Sequence, residues 1–538
     1  MAASVVQAGP QLYVVSETGV PTQLTLPTGI VLRQDIAPRW VVFNNYVVLV
    51  NTPNQPLIID STGTVRLLSP KAPRVAPILS AVSGGALTGT YNGVRVTFVT
   101  TDAVGNIISE SDYSPASGSQ AVSSQFLKAS NVDVSSDDVT FRRLYRPTNN
   151  GAVLFQWVDL NGNIQTTIQD DLADAGLPTN SAGLLGTPPR LTLCAEFRQR
   201  LFGVGDTDID HVRFTQTGLQ YSWPGQNLLA IPQVGSDVTG INAFIPRREA
   251  LIVGRRNMLV QITGTGIEDA TGTADFNVVI LSRECGTESN ETCKVYRDTG
   301  YFLWKDGVYT VSTNNITCIS NGTPDSQDGK GNVRTWFVSD SYFNRAMFTQ
   351  AFAVIDPNVP RYRLFLASAG SNVIDSFVDY DINDGTWWGP HKTNLFTPAS
   401  GFLLYDANDR AFPIIGGADG NMYKEQVTRT DGASTAIVMD VVGKRHNAGE
   451  PDLEKYWGEL SVLQKSYTLG TLQVISTAGD LTASSTIVQN CPQQKSRTRL
   501  GRLGKGKHVQ LEIQNSEVGM DVELFGYEID PVNLIGKR

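Results

Sequence analysis

A short pattern recurs along this chain: an apolar strand, a tight Gly, Asn or Asp turn, and a second strand that often carries a tyrosine. It begins at Tyr46 (YVVLVNTPNQPLIID), Leu201 (LFGVGDTDIDHVRF), Leu251 (LIVGRRNMLVQITG), Phe302 (FLWKDGVYTV), Leu364 (LFLASAGSNVIDSFVDYD) and Phe412 (FPIIGGADGNMYKE). From Leu201 onward the spacings are 50, 51, 62 and 48 residues. That period specifies stacked or radially arranged β units rather than a single sandwich. In a propeller each four-stranded unit buries both faces against its neighbours and exposes only short edges. The expected class is therefore all-β, with a β-propeller body of about six or more blades.

The first two occurrences, Tyr46 and Leu201, are 155 residues apart, about three times the interval. Pro-rich stretches (SPKAPRVAP and LLGTPPR) bracket residues 72–188, as at a domain boundary. Removing that segment restores a spacing close to one blade. Inside it, Tyr91, Val94, Val96 and Phe98, then Val139, Phe141, Arg143 and Tyr145, then Val153, Phe155 and Trp157 alternate as antiparallel strands with one buried face. The expected organisation is first propeller strands over 1–71, an inserted β-sandwich over 72–188, the main propeller over 189–430, and a β-rich region over 431–538. That last region either closes the propeller or stands as a separate module. One short helix is expected, over Ser341–Thr349.

With 50 Gly and 26 Pro in 538 residues, the composition favours strands and turns. The N-terminus has no basic residue before Arg33 and no apolar core, so it does not read as a secretory signal. No apolar run reaches membrane-spanning length. Five cysteines (Cys194, Cys285, Cys293, Cys318, Cys491) show no metal-ligand spacing and read as reduced thiols, with a Cys285–Cys293 bridge as the alternative.

Local signatures of chemistry are weak. Asp206, Asp208 and Asp210 open like a calcium loop, but His211 stands where Gly belongs and Thr217 where a bidentate Glu belongs. Asp379, Asp381, Asn383 and Asp384 before Gly385 fail similarly, with Pro390 at the last position; the better reading is a hairpin followed by a packing pair, Trp387 and Trp388. The four histidines (His211, His391, His446, His508) occupy unrelated contexts, no G-x-S-x-G turn occurs, and neither dinucleotide nor P-loop glycine pattern is present. The expectation is a chain without catalytic residues, bound cofactor or metal.

The net charge of −9 argues against a general phosphate binder. Lys495–His508 departs from it: Lys495, Arg497, Arg499, Arg502, Lys505 and Lys507 occur with no acid among them, and without these six the chain carries −15. Such asymmetry suits docking on an acidic partner; the alternative is a solvated Gly-rich hairpin loop.

Arg198–Gly264 resembles the propeller of tail nozzle and hub proteins of short-tailed bacteriophages. The matching residues are Arg200, Leu201 and Phe202; Trp223 and Pro224; Val238, Thr239, Gly240 and Ile241; Leu251, Ile252 and Val253; and Ile262, Thr263 and Gly264. The stretches GGALTGTYNGVRVTFVTTDAVGNIISESDYSPAS and FRRLYRPTNNGAVLFQWVDL resemble the fibronectin-type-III-like domain that interrupts such propellers. The resemblance covers most of residues 40–430 as loose strand patterns, and the basic stretch is not part of it. It implies a virion protein assembled in the host cytoplasm. Its subunits, commonly six, would form a ring below portal and adaptor, a conduit that DNA crosses without specific binding, and a base for fibres or receptor-binding proteins. Ring closure needs head-to-tail interfaces, and Arg497, Arg499 and Arg502 are the candidate subunit-interface residues. Two other readings are a propeller that binds or degrades glycans and a cellular peptide-binding scaffold.

Overall fold

The computed structural model describes residues 3–16, 19–179, 183–233, 239–268, 274–313, 315–321, 333–393, 395–406, 408, 410–424, 430–431, 435–436, 439–442, 446, 454–466, 468–478, 481–489, 495–517, 522–529 and 533–534. Val238 and Cys491 lie outside them. The chain divides into two compact units, residues 1–393 with 398–422, and residues 394–397 with 423–538.

Among its described residues the first unit contains seven antiparallel sheets formed in chain order, besides the two of an insertion. The first comprises β1 (Ala3–Ala8), β2 (Gln11–Ser16) and β3 (Pro21–Leu24), and the second β4 (Arg39–Phe43), β5 (Tyr46–Val50), β6 (Leu57–Ile59) and β7 (Val65–Leu67). An insertion supplies β8 (Ile78–Tyr91), β9 (Arg95–Thr101), β10 (Ile107–Glu110), β11 (Gln120–Ser130), β12 (Phe141–Pro147), β13 (Leu154–Asn161) and β14 (Ile168–Asp170). The third sheet is β15 (Leu191–Phe197), β16 (Arg200–Gly205), β17 (His211–Phe214) and β18 (Leu228–Ala230), and the fourth β19 (Ala243–Pro246), β20 (Leu251–Arg255), β21 (Met258–Thr263) and β22 (Asn277–Ser282). The fifth is β23 (Lys294–Tyr296), β24 (Thr299–Trp304), β25 (Gly307–Ser312) and β26 (Asn315–Cys318), and the sixth β27 (Phe352–Asp356), β28 (Arg361–Leu366), β29 (Ser376–Asp381) and β30 (Thr386–Lys392). The seventh contains β31 (Pro398–Tyr405) and β32 (Ala411–Gly417), and β33 (Met422–Lys424) follows at the boundary of the two units. Each recurring sequence unit begins in the second strand of its sheet, at β5, β16, β20, β24, β28 and β32.

Burial explains the order. These second strands are buried nearly throughout, because both faces meet a neighbouring sheet. Leu12 and Leu24 of the first sheet share a core with Leu49, Leu57 and Ile59 of the second. Phe202 and Phe214 of the third pack with Leu251, Val253 and Val260 of the fourth, Ile245 and Ile252 of the fourth with Phe302 and Val311 of the fifth, and Leu303 and Val308 of the fifth with Tyr362 and Leu364 of the sixth. Strand β27 lies beside β31, and β31 beside β1, so the succession returns to its start. This is the arrangement of a β-propeller.

The insertion folds as two sheets, β10-β9-β12-β13 and β14-β11-β8. Leu87, Tyr91, Val96, Leu127, Leu144 and Trp157 fill the space between them. It is tied to the second and third propeller sheets by reciprocal bonds: Ser109 Oγ donates to the Leu68 carbonyl at 3.0 Å, Ser69 Oγ to the Glu110 carbonyl at 3.0 Å, and Gln220 Nε2 to the Ile108 carbonyl at 2.7 Å.

In the second unit β34 (Thr430–Asp431) pairs with β35 (Thr435–Ala436). One larger sheet comprises β36 (Met439–Val442), β41 (Val509–Asn515), β38 (Gly470–Ala478) and β39 (Leu481–Gln489). The other comprises β40 (Lys495–Gly506), β37 (Lys455–Ser466) and β42 (Val522–Ile529), with β43 (Asn533–Leu534) also on β37. Trp457, Leu460, Val462, Leu472, Val474, Leu503 and Leu511 form a core of their own, so this region is a separate module.

Two local expectations are corrected, and the reduced-thiol reading of Cys285 and Cys293 holds. Ser341–Thr349 is not an α-helix: α1 covers Arg334–Val338, and a 3-10 segment spans Arg345–Gln350, begun by Asn344 Oδ1 accepting from the Ala346 N–H. Trp387 packs on Tyr380 and Phe337, but Trp388 points the other way along the strand and is 58% exposed, so the two are not a packing pair. Cys285 and Cys293 are both free thiols, each pushed up to about 12 by burial.

Candidate assembly surface

Most of the basic stretch, Lys495–Gly506, is an edge strand and not a Gly-rich loop. Alternation puts Arg497 and Arg499 on one face and leaves Thr498 and Leu500 half-buried. Arg502 lies an odd number of residues further on and would face the other way in an uninterrupted strand. A bulge resets the phase: Leu460 pairs with Gly501 but Ser461 with Arg499, and Arg502 is exposed while Leu503 is buried. All three candidate interface arginines are thus exposed on one strand.

The patch is less positive than the sequence implies. Arg497 meets Glu528 of β42 at 2.7 Å, Arg499 meets Glu459 of β37 at 3.7 Å, and Lys505 meets Glu454 at 2.8 Å. Glu459 also pairs in register with Arg502. Its hydrogen bond to the Glu454 carboxylate raises the Lys505 ammonium above its ordinary value. These acids lie dozens of residues away in sequence, which hid them.

Carboxylates of the two calcium-like stretches are engaged by side chains of the protein itself. Asp206 pairs with Arg190 at 3.1 Å, Asp208 with His211 at 2.5 Å, and Asp210 with Arg255 at 2.8 Å. Asp379 accepts two bonds from Arg363, at 2.7 and 2.8 Å. Described His/Cys/Asp/Glu residues form no group able to hold a metal. The histidines stay apart: His391 lies against Phe377, with burial lowering its imidazole, and His446 bonds Tyr527.

Buried arginines were not anticipated, and they brace the fold. Arg200, 1% exposed, joins the Thr215 and Gly266 carbonyls to Glu268, and Arg255 joins the Thr239 and Ile231 carbonyls to Asp210. A planar fork of five donors satisfies several loops at once. The turn at 289–293 draws inner segments together in the same way. Glu291 pairs with Arg39 of β4, Asn290 Oδ1 accepts from Phe244 of β19, and Ser289 Oγ donates to the Ala351 carbonyl beside β27. These partners belong to, or directly precede, the first strands of the second, fourth and sixth sheets, so the turn spans the middle of the ring.

No helix among the described residues is long and apolar enough to cross a membrane. No family model matches the chain, and no curated protein matches it. Solved structures similar to it include PorZ, a surface component of the type IX secretion system of Porphyromonas gingivalis (TM-score 0.28, 11% identity, covering 100% of this chain and 74% of that one). An exo-β-1,3-galactanase of Phanerochaete chrysosporium matches with TM-score 0.18 and 8% identity, over 97% of this chain and 95% of that one. A Synechocystis apocarotenoid oxygenase matches with TM-score 0.22 and 8% identity, over 71% of this chain and 66% of that one. Likenesses this slight carry no functional inference.

Proposed function

We propose that this chain is a structural component of a bacteriophage tail, acting by assembly rather than turnover. In this reading copies of the chain, six in the resembling family, form a nozzle or hub ring below portal and adaptor and carry fibres or receptor-binding proteins. The observation that carries it is the exposed strand presenting Arg497, Arg499 and Arg502, in a chain that carries −15 once the six cations from Lys495 to Lys507 are set aside. Opposite charge on neighbouring copies steers a head-to-tail contact and fixes its register. The insertion, bonded to two propeller sheets, supplies a firmly held projection for further partners.

DNA would pass between copies, because the 289–293 turn occupies the middle of each propeller. Acids lining that shared passage would repel phosphate. Gold-labelled antibody against the chain, imaged on purified particles, tests the reading. Label at the tail below the capsid supports it; particles without label, with the chain abundant in the lysate, refute it.

A further inference from the structure

A cleft of about 450 Å³ opens where the insertion meets the propeller. Four turns far apart in sequence form it: Asn44–Tyr46, Asp60–Thr62, Asp102–Ile107 and Gly218–Tyr221. Its size and its place at a domain junction are those of a small-molecule site.

The walls are set before any ligand arrives. Asn44 Nδ2 donates to the Gly218 carbonyl at 2.8 Å and to Gln220 Oε1 at 3.2 Å, which fixes the propeller turn to the loop of the third sheet. Asp60 Oδ1 accepts the N–H groups of Thr62 and Thr64, both at 2.9 Å, while its Oδ2 pairs with Arg66 behind the wall. Asp102 Oδ1 accepts from the N–H groups of Val104 and Asn106, both at 2.9 Å; its Oδ2 accepts from Asn106 Nδ2 at 2.9 Å and faces the Tyr46 hydroxyl at 3.5 Å. The Asn106 side chain and these backbone donors hold the Asp102 carboxyl below its ordinary range, so it is an ionised acceptor at neutral pH.

Two carboxylates, several amides and hydroxyls, and tyrosine line the cleft, with no cationic side chain among the lining residues. Arg66 balances Asp60, so Asp102 leaves the cleft negative. Such a surface accepts hydrogen bonds from a ligand dense in hydroxyl groups, strengthens them by charge, and repels uronates and phosphates. We propose that this cleft binds neutral hexopyranose units of a glycan, with Asp102 and Tyr46 as the principal contacts. The inference requires only the isolated chain and is independent of the assembly reading.

The test is saturation-transfer NMR and calorimetry on the full chain. The probes are neutral gluco-, galacto- and manno-configured disaccharides and their uronate-bearing counterparts. At least one neutral sugar should bind with a Kd of about 1 mM or below, and its uronate counterpart about tenfold more weakly. Asp102→Asn keeps the Oδ1 bonds of its turn and should weaken binding about tenfold. Tyr46→Phe removes only the hydroxyl and should weaken it several-fold with the melting temperature unchanged; it decides the matter if Asp102→Asn fails to fold. Absence of binding at about 10 mM of every neutral sugar, tighter binding of uronates, or wild-type affinity in the folded variants would overturn the proposal.

Discussion

Replacing Phe202 by alanine removes a fully buried ring from the core shared by the third and fourth sheets. Phe197, Phe214 and Phe276 surround it, with centroids 5.8, 5.4 and 5.2 Å away. Buried Phe→Ala changes cost about 3–5 kcal/mol, and lost aromatic pairs push the cost toward the top of that range, about 4–5 kcal/mol here. At about 2 °C per kcal/mol for so large a unit, the melting temperature should fall by roughly 8–10 °C. Phe202→Leu keeps most of the volume and should lose less than half as much. Calorimetry on the full chain separates this loss from the second unit, which has its own core. A shift under about 2 °C for Phe202→Ala would refute a sealed core between these sheets.

Charge reversal of Arg497, Arg499 and Arg502 to glutamate should abolish ring incorporation while circular dichroism stays native, since all three are exposed; unimpaired assembly would discard the interface. Glu110 is buried against the Thr97 and Tyr145 hydroxyls, at 2.6 and 2.7 Å, and burial pushes its carboxyl up. The folded chain therefore holds a proton that the unfolded chain has released, and this contribution to stability declines as pH rises above the ordinary carboxylate range. Glu110→Gln keeps the acceptor and should flatten that decline; parallel melting curves against pH for both proteins would count against it. A Cβ at Gly254 would stand 2.5 Å from Thr287 Oγ1, which is buried and held by Asn242 Oδ1 at 2.6 Å. Gly254→Ala should cost about 1–3 kcal/mol by urea denaturation, and a neutral result would mean that Thr287 can move aside.

Strands were legible because apolar runs bounded by Gly, Asn and Asp turns are local. The recurrence from Leu201 to Phe412 marks the second strand of successive sheets, where burial on both faces demands unbroken apolar sequence. The first sheet fell outside that recurrence: Gln11–Ser16 carries the apolar run Leu12–Val15 but is only partly buried. The helix was misplaced because SYFNRAMFT holds no Gly or Pro to interrupt it, whereas tertiary contacts bury Phe343 and Phe348, leave Tyr342 exposed, and close only Arg345–Gln350 as a 3-10 segment.

Sequence alone determined that this chain is built from short antiparallel strands, with arginines 497, 499 and 502 concentrated in an acidic molecule. Period, turn residues and net charge are properties of neighbours along the chain. Only the tertiary structure decided which acids temper that basic strand, how a bulge brings Arg502 to the exposed side, and which four turns meet around Tyr46 and Asp102. Those outcomes depend on residues brought together from distant segments by the burial of sheet faces, and no local pattern encodes their distances.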